Sequence, residues 1–439
     1  METAQNMTQP PLAKHDSRLL DLAFAMDTTG SMGSYINSAR DNIRRIVEDI
    51  VAKESSDVRL ALVEYRDHPP QDRSYVTQKH DFTPRVGEMK KWLDQSRADG
   101  GGDAPEAVAD ALYDVLNLSW RKEATKICVL ISDAPPHGLQ PSGDGFPNGC
   151  PAGHDPMNIA RQLAENSVTL YVAGCEPALI HYKDFFSALA YVTGGQYVPL
   201  SAAGSLTAVI VGGAQEELSL EQWMDQVNQQ VVQEVQQQGE ANVDVEELSR
   251  QVMGRLNMAG HRSKHLRVNN AEAAPTSDHV KKMSSLSSME AVRAEWKPTP
   301  SSYGGEVGDA RFRSAPMMPM MMEDDCDDDE IALSSPAPPE AVCSLFGSRS
   351  GSAGDRAMKK SRSCAAAPPP PPMGAMPMRG GCAPPPPPMG AMPMRRGCAP
   401  PPPAPVDSYA TEEGEIQMAQ AERMVQKALM RNNINLQQK

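Results

Sequence analysis

Short apolar runs alternate with amphipathic segments along the first half of the 439-residue chain. The run 19–26 (LLDLAFAM) is almost entirely apolar, which predicts a strand buried on both faces. Residues 35–51 then place apolar side chains at helical spacing with charged residues between them, which predicts an amphipathic helix. Repetition of this alternation predicts an α/β fold with a doubly wound, mostly parallel sheet flanked by helices.

The same periodicity predicts further elements up to residue 200. We expect strands at 19–26, 58–65, 75–81, 126–132, 168–173 and 196–200, and helices at 35–51, 84–95, 104–118, 156–165 and 183–193. A long loop rich in glycine and proline follows the strand that ends at Ser132.

The pattern changes after residue 217. One stripe of a glutamine-rich helix carries apolar side chains, and 245–256 predicts a second helix; we expect both to pack on the domain, with partner binding or self-association as the alternative. The stripe consists of Leu220, Trp223, Val227, Val231 and Val235. A final amphipathic helix at 412–439 has a weakly apolar stripe, so it would be marginal in isolation.

Composition separates a folded part from a tail. Residues 1–200 hold 15 of the 21 aromatic residues, and the hydrophobic fraction of 40% is low for a globular chain. The acidic run EDDCDDDE at 323–330 is typical of a solvated segment rather than a metal site. We therefore predict five regions, namely a disordered arm (1–17), an α/β domain (18–217), a helical extension (218–260), a disordered low-complexity tail (261–411) and a C-terminal helix (412–439).

The predicted tail contains a direct repeat of 16 residues. Its copies, Ala367–Cys382 and Ala383–Cys398, each include five consecutive prolines, which adopt the polyproline II conformation. Such tracts are read by aromatic grooves of partner domains, so the ends of the two runs are candidate partner-binding residues. These are Pro368, Pro372, Pro384 and Pro388. An inert spacer is the alternative.

Charge and cysteine content exclude several classes. The net charge of −14 gives no support to nucleic-acid binding. No apolar run approaches the roughly 20 residues of a membrane helix, and the polar N-terminus lacks the core of a secretion signal. Eight scattered cysteines do not make a disulfide framework, so we expect reduced thiols in the cytoplasm.

Oxygen-bearing side chains follow two of the predicted buried strands. Asp27, Thr29 and Ser31 lie in the turn after the first strand, and Asp133 follows the strand 126–132. In open parallel sheets, ligands bind beyond the carboxyl ends of the strands where the strand order reverses. Carboxylates and hydroxyls there predict a site for a hard divalent cation such as Mg²⁺.

The segments MDTTGSMGSYI, GGGDAPEAV and SDAPPHG give residues 18–217 a resemblance to von Willebrand factor A domains, especially those of amoebal alpha-kinases. The resemblance implies a Rossmann-like fold and a metal-ion-dependent adhesion site that binds Mg²⁺, or alternatively Mn²⁺ or Ca²⁺. By position, Asp27, Thr29 and Ser31 match its first loop and Asp133 its third. Asp103 falls where the second loop of the family normally offers a threonine.

Asp103 has two interpretations. It is either a metal ligand or the N-cap of a helix whose N3 residue is Glu106, as in a capping box. As a ligand, it would be a third carboxylate on a divalent cation. We hypothesise that it then strengthens metal retention and disfavours an acidic ligand from a partner.

The loop from Ala134 to Asp155 contains three residues that zinc accepts as ligands, His137, Cys150 and His154. Their spacing matches no compact zinc motif, so we expect these three side chains to be ordinary residues of a surface loop and not zinc ligands. The sequence also lacks a phosphate-binding loop, a nucleophile elbow and a protein-kinase motif set.

These observations favour a non-enzymatic interaction protein. Its A domain would bind a protein partner at a metal-centred face, and its tail would display polyproline motifs. A kinase-associated component or phosphotransfer enzyme is the alternative, because the resemblance to alpha-kinases stops at the A domain.

Overall fold

Six strands form the main sheet of the computed structural model, which describes residues 16–54, 57–140, 142–239, 242–271, 276–299 and 407–434. The strands are β1 (Asp16–Asp27), β2 (Asp57–Tyr65), β3 (Thr77–Thr83), β4 (Ala124–Ser132), β5 (Val168–Cys175) and β6 (Tyr197–Leu200). Their spatial order is β3-β2-β1-β4-β5-β6, and all neighbours are parallel except β2 and β3. The predicted doubly wound, mostly parallel sheet is confirmed.

Helices cover both faces of this sheet. They are α1 (Gly33–Glu54), α2 (Val86–Gln95), α3 (Val108–Leu116), α4 (Pro156–Glu165), α5 (Lys183–Val192) and α6 (Leu206–Glu221). On one face, Ala23 and Leu130 pack with α3, α4 and α5. On the other, Phe24 and Val129 pack with α1, α2 and α6. Successive residues of β1 and β4 therefore enter opposite cores, which explains why these strands are apolar throughout.

Two of these elements differ from the expectation. The helix α3 begins at Val108 rather than at residue 104, and its N-cap is Ala107. The N–H of Glu106 instead donates to the carbonyl of Pro135 (2.9 Å), and that of Ala107 donates to Arg66 (2.8 Å). Because this segment is bonded to its neighbours as a loop, the interpretation of Asp103 as a helix cap is wrong.

The helix α6 was not predicted. It is buried on nearly all sides, so its sequence lacks the polar face that reveals an amphipathic helix. Gly212 allows the close approach of a further strand, since a Cβ there would lie 2.5 Å from Leu266 Cδ1.

The remaining described residues form α7 (Met224–Gln238), α8 (Val245–Met258), β7 (Arg262–Val268), α9 (Asp278–Ser285), α10 (Met289–Glu295), β8 (Tyr409–Glu415) and α11 (Met418–Arg431). The expectation that 261–411 is unstructured throughout is therefore wrong for β7, α9, α10 and β8. The helices α9 and α10 are too short to show a period, yet Val280, Met283 and Val292 are buried in the core. The predicted arm also ends earlier, because β1 begins at Asp16.

The chain returns to the folded unit after its low-complexity segment. Strand β8 pairs antiparallel with β7, in a register that places Arg262 opposite Glu415 and Lys264 opposite Glu413. Residues 300–406, which include the acidic run and both proline repeats, lie outside the described residues and connect α10 to β8. The predicted tail is thus a connection attached at both ends. None of the helices that the structure describes has the length and apolar character needed to cross a membrane.

Helix α11 is buried although its apolar stripe is weak. Val425, Ala428 and Leu429 pack against α7 and α8. Its basic residues face three glutamates of α6, and these ion pairs are almost fully buried. Arg423 Nη2 lies 2.7 Å from Glu216, Arg431 Nη1 lies 2.7 Å from Glu221, and Lys427 pairs with Glu217 and Glu221. Tertiary contacts thus supply the stability that the isolated helix lacks.

Removing one partner of a buried ion pair should be costly. We expect Arg423→Ala to lower the free energy of unfolding by about 3–5 kcal/mol, because it leaves the Glu216 carboxylate buried without its cation. The matched control is Arg250→Ala, which removes an exposed pair on α8 and should cost less than about 1 kcal/mol. Urea unfolding followed by circular dichroism measures both; equal losses would show that α11 is not held by its ion pairs.

Candidate metal centre

The strand order brings the two predicted aspartates to one edge of the sheet. Asp27 is the last residue of β1, and Asp133 directly follows β4. These strands are neighbours, and the order of strands along the sheet reverses between them. Burial raises the pKa of Asp27 to about 7, and the nearby charge of Asp133 contributes to that rise. The site therefore lies at the topological switch point.

The first loop holds one oxygen of Asp27 and leaves the other free. Asp27 Oδ1 accepts hydrogen bonds from Thr29 N (2.9 Å) and Thr29 Oγ1 (2.6 Å). Asp27 Oδ2 is buried, and no described residue hydrogen-bonds to it. The exposed hydroxyl of Ser31 lies against the carboxylate of Asp133 and partly offsets the rise in pKa that burial causes there. Four of the predicted ligands thus gather around one point that is open to solvent on the Ser31 side.

Glu106 is an acidic side chain of this site that sequence reasoning missed. It is 4% exposed, and its Oε2 atom is buried without a hydrogen-bond partner in the described part of the chain. Burial raises its pKa to about 11, and the charges of four surrounding aspartates add to the rise, Asp27 most strongly. The sequence places Glu106 only at the N3 position of a possible capping box. The available signal was an acid in an otherwise apolar run without a basic residue one helical turn away.

Glycines bring the loop of Glu106 against the loop of Asp27. Gly101 has a φ of +84°, and a Cβ there would lie 3.1 Å from Glu106 Oε1 and 3.5 Å from Thr29 Cβ. The N–H of Gly30 donates to the carbonyl of Gly100 across the two loops (3.4 Å). A side chain at Gly101 would therefore be strained and would stand between Thr29 and Glu106.

Asp103 lies beside this point, in a second group of charged residues. Its Oδ2 accepts a hydrogen bond from Gly145 N (2.5 Å), and its carboxylate lies against that of Asp67. One ligand atom each of Asp67, Asp103 and His137 lie within 4.8 Å of one another. Burial is the main cause that raises the pKa of Asp103 to about 6. The hydrogen bond from Gly145 lowers this pKa, and the neighbouring Asp67 raises it. The charges of Asp27 and, less strongly, of Asp67, Asp103 and Asp133 all act on Glu106, so this side chain lies between the two groups.

His137 is held between two aspartates. Its Nε2 lies 2.7 Å from Asp67 Oδ1, and its Nδ1 lies 2.9 Å from Asp144 Oδ1. Burial alone would lower the pKa of His137, but the bonds to Asp144 and Asp67 raise it to about 9. The ring is therefore protonated at neutral pH and neutralises part of the surrounding negative charge.

The residues of the loop 134–155 separate into two groups. His137 joins Asp67 and Asp144, whereas Cys150 and His154 lie beside Asp110 at the start of α3. Cys175 is a buried free thiol at the end of β5. The candidate prolines Pro368, Pro372, Pro384 and Pro388 lie outside the described residues.

The donor set fits a hard divalent cation. Asp27, Asp133 and Glu106 offer carboxylates at this edge of the sheet, and Thr29 and Ser31 offer hydroxyls. Asp27 Oδ2 and Glu106 Oε2 are buried without a hydrogen-bond partner within the described ranges. Oxygen ligands of this kind suit Mg²⁺, and equally Mn²⁺ or Ca²⁺. A bound cation would offset the burial that raises the pKa values of these carboxylates and the repulsion that adds to the rise at Asp27 and Glu106.

The raised pKa values predict a pH-dependent stability without metal. The pKa of Asp27 rises from 3.8 to about 7 and that of Glu106 from 4.5 to about 11, so between pH 5 and 8 the folded state holds more protons than the unfolded state. The free energy of unfolding should then fall as pH rises, by up to about 1.4 kcal/mol per pH unit for each group. His137 acts in the same direction as pH rises towards about 9.

Thermal unfolding in chelator between pH 5 and 8 measures this dependence. Asp72, Asp81 and Asp144 have lowered pKa values, so their stabilisation is nearly complete above about pH 5 and does not oppose the trend. Saturating Mg²⁺ is the control and should flatten the curve. A melting temperature that stays constant or rises with pH in chelator would contradict the prediction that these carboxylates hold protons in the folded state.

Comparisons with known proteins agree with this geometry. A family model described as von Willebrand factor A domain matches residues 21–140. Over 158 residues the chain is 31% identical to the alpha-protein kinase vwkA of Dictyostelium discoideum, covering 35% of this chain and 25% of the kinase. Over 103 residues it is 39% identical to von Willebrand factor A domain-containing protein 7 of Mus musculus, covering 22% of this chain and 11% of that protein.

The likeness to solved structures is weaker. The pilus adhesin SpaC of Lactobacillus rhamnosus GG superposes with a TM-score of 0.36 and 9% identity, covering 47% of this chain and 31% of the adhesin. The chain spans a quarter or less of the length of the two curated relatives above. The segment 21–140 is nevertheless a von Willebrand factor A domain by its match to the family model, and this segment contains the candidate metal centre around Asp27.

Proposed function

We propose that this chain is a non-enzymatic scaffold whose A domain binds a protein partner at a face centred on a divalent cation. A von Willebrand factor A domain supports a protein-interaction role in general. The metal dependence rests on one observation, namely that Asp27 Oδ2 and Glu106 Oε2 are buried acidic oxygens with no hydrogen-bond partner in the described part of the chain. Mg²⁺ is the preferred ion, and Mn²⁺ or Ca²⁺ are alternatives.

Glu106 changes the chemistry expected of the partner. Together with Asp27 and Asp133 it would place three carboxylates around a divalent cation, which leaves one net negative charge. Glu106, rather than Asp103, would then be the third carboxylate, which retains the metal and disfavours an acidic ligand from the partner. The partner would then reach the ion through a neutral oxygen or a bridging water.

Exposed loop residues surround the proposed ion and offer a surface to a partner. Gly30 and Ser31 are exposed on one side, and Asp99, Gly100 and Gly101 are exposed on the other. Small and polar residues of this kind leave the ion accessible while contributing backbone hydrogen-bonding groups. The contact area around the ion, rather than the ion alone, would set the specificity.

The proline repeats would give a second binding function. Because α10 and β8 both belong to the folded unit, the segment between them would present its polyproline runs as a loop attached at two points. Two copies would raise avidity through effective concentration. Pro368, Pro372, Pro384 and Pro388 mark the runs, and an inert spacer is the alternative.

The alpha-kinase relative favours a second candidate, a kinase-associated component. The match covers only a quarter of that protein, and the sequence of this chain contains no kinase motif set. We therefore propose a scaffold acting beside a kinase rather than a kinase, in the cytoplasm, where the free thiols of Cys128, Cys150 and Cys175 stay reduced. ATP turnover by the purified chain, abolished by Asp27→Ala, would support the enzyme instead.

Affinity capture tests the scaffold. We expect the wild-type chain to retain partner proteins that Asp27→Ala and Asp27→Asn lose, because both variants remove a carboxylate from the proposed ion. Chelator should release the same proteins, and added Mg²⁺ should restore them. The matched control is Asp41→Ala, an exposed aspartate on α1 that pairs with Arg40.

A second comparison separates the two binding surfaces. Replacing both five-proline runs by alanine should release a different set of proteins and leave the metal-dependent set bound. Identical captures by wild type and both Asp27 variants would refute the metal-centred interface, and a proline variant without losses would leave the repeats as a spacer.

A further inference from the structure

A further cluster of side chains that can bind metal lies next to the candidate metal centre, apart from the group of Asp67, Asp103 and His137. Its residues come from three separate segments. His68 follows β2, Asp110 lies in the first turn of α3, and Cys150 and His154 lie in the long loop before α4. His68 and Asp110 are nearly fully buried, and Cys150 is half-buried. The residue types are those that zinc accepts, a thiolate, imidazoles and a carboxylate.

The distances place the donor atoms around one point. Asp110 Oδ2 lies 2.9 Å from His68 Nε2 and 3.1 Å from Cys150 Sγ, and the sulfur lies 3.7 Å from the same imidazole nitrogen. Zinc bonds of about 2.0–2.3 Å at tetrahedral angles separate neighbouring ligand atoms by roughly 3.3–3.6 Å. The three atoms are therefore already within a few tenths of an ångström of the spacing that a tetrahedral ion imposes.

His154 occupies the remaining side of Asp110. Its Nε2 lies 3.8 Å from Asp110 Oδ1, and its side chain is 26% exposed, so this ring lies beside the other three ligands but has to move towards them to reach the ion. Tyr113 stacks on this ring with centroids 4.1 Å apart, and the edge of Phe146 meets His68 at 5.6 Å. Aromatic neighbours thus orient both imidazoles, as outer contacts do in metal sites.

The loop that carries two of these residues is held at Asp144 and Gly145 and continues beyond them to Cys150 and His154. Residues 142–155 contain no helix or strand, although they lie against α3 and border a cavity of about 210 Å³ lined by Asp110, Cys150 and His154. Loops of this length without secondary structure are uncommon in compact domains unless they serve a function. One ion bound by Cys150 and His154 of the loop and by His68 and Asp110 of the domain would fix the loop to the sheet edge.

We propose that His68, Asp110 and Cys150 bind one zinc ion, with His154 as the fourth ligand. On binding, Cys150 releases its thiol proton to solvent and coordinates as the thiolate, and the two anionic ligands then neutralise the ion. Zinc here is structural, because all four positions are taken by protein, and it holds the loop 142–155 beside the A-domain face. This site is separate from the ion proposed at Asp27 and does not depend on it.

Elemental analysis and cobalt substitution of the full chain test the site. Reduced protein purified without chelator should contain about one zinc per chain. Protein stripped and reloaded with Co²⁺ should show a thiolate-to-cobalt charge-transfer band and tetrahedral absorption. Cys150→Ser should abolish the band, and His154→Gln should weaken zinc binding by more than about 10-fold.

Two controls separate loss of the site from loss of the fold. Cys382→Ser removes a cysteine of the proline repeat and should leave zinc content and the cobalt spectrum unchanged. Asp27→Ala should keep zinc while losing Mg²⁺. His154→Gln alters the most exposed ligand, so it remains informative if Cys150→Ser does not fold. Wild-type protein without tightly bound zinc, or a cobalt spectrum that both ligand variants leave unchanged, would overturn the proposal.

Discussion

Burial of carboxylates at the carboxyl edge of β1 and β4, together with the repulsion between them, is the constraint on which the functional face depends. Asp27, Glu106 and Asp133 are brought together by three different loops, and the sheet order fixes the positions of two of them. Without a cation, such groups keep protons that free carboxylic acids would have lost. The arrangement is therefore costly alone and favourable around a divalent ion, which is why we treat it as a binding site rather than as part of the core.

A second set of buried charges solves a different problem at the C-terminal end. The basic residues of α11 are paired with glutamates of α6, so a helix with little apolar surface is fixed in one register. Strand β8 pairs with β7 just before it. Together they attach the chain again after more than a hundred residues of low-complexity sequence, so that the proline repeats lie within the protein rather than at its end. We hypothesise that these ion pairs specify the position of the helix more closely than apolar contacts of similar size would.

The sequence predicted what periodicity controls. The strands of the main sheet and most of their helices follow from apolar runs such as 19–26, and Asp27 and Asp133 follow from the rule that ligands gather at the carboxyl ends of parallel strands. Glu106 was not predicted as part of the site, because its loop resembles a helix start in the sequence. Only the hydrogen bonds that Glu106 N–H and Ala107 N–H donate to the carbonyls of Pro135 and Arg66 reveal the loop. Strand β7 was missed for a related reason, since its partner strand lies far away in the chain. Helix α11 was predicted, but it begins only at Met418, after β8, and its burial against charged residues of α6 was not predicted. Cys150 and His154 likewise match no local zinc motif, because His68 and Asp110 come from other segments.

The most direct test of the account is the number of protons that leave when Mg²⁺ binds. Calorimetric titration at pH 7 in two buffers with different ionisation enthalpies should show the release of roughly one to two protons per ion, since Glu106 and part of the Asp27 population are protonated in the free site. Glu106→Gln should remove about one of these protons, whereas Asp103→Thr should retain most of the release. Absence of a binding heat, or binding that releases no protons, would contradict a cation held by these buried carboxylates.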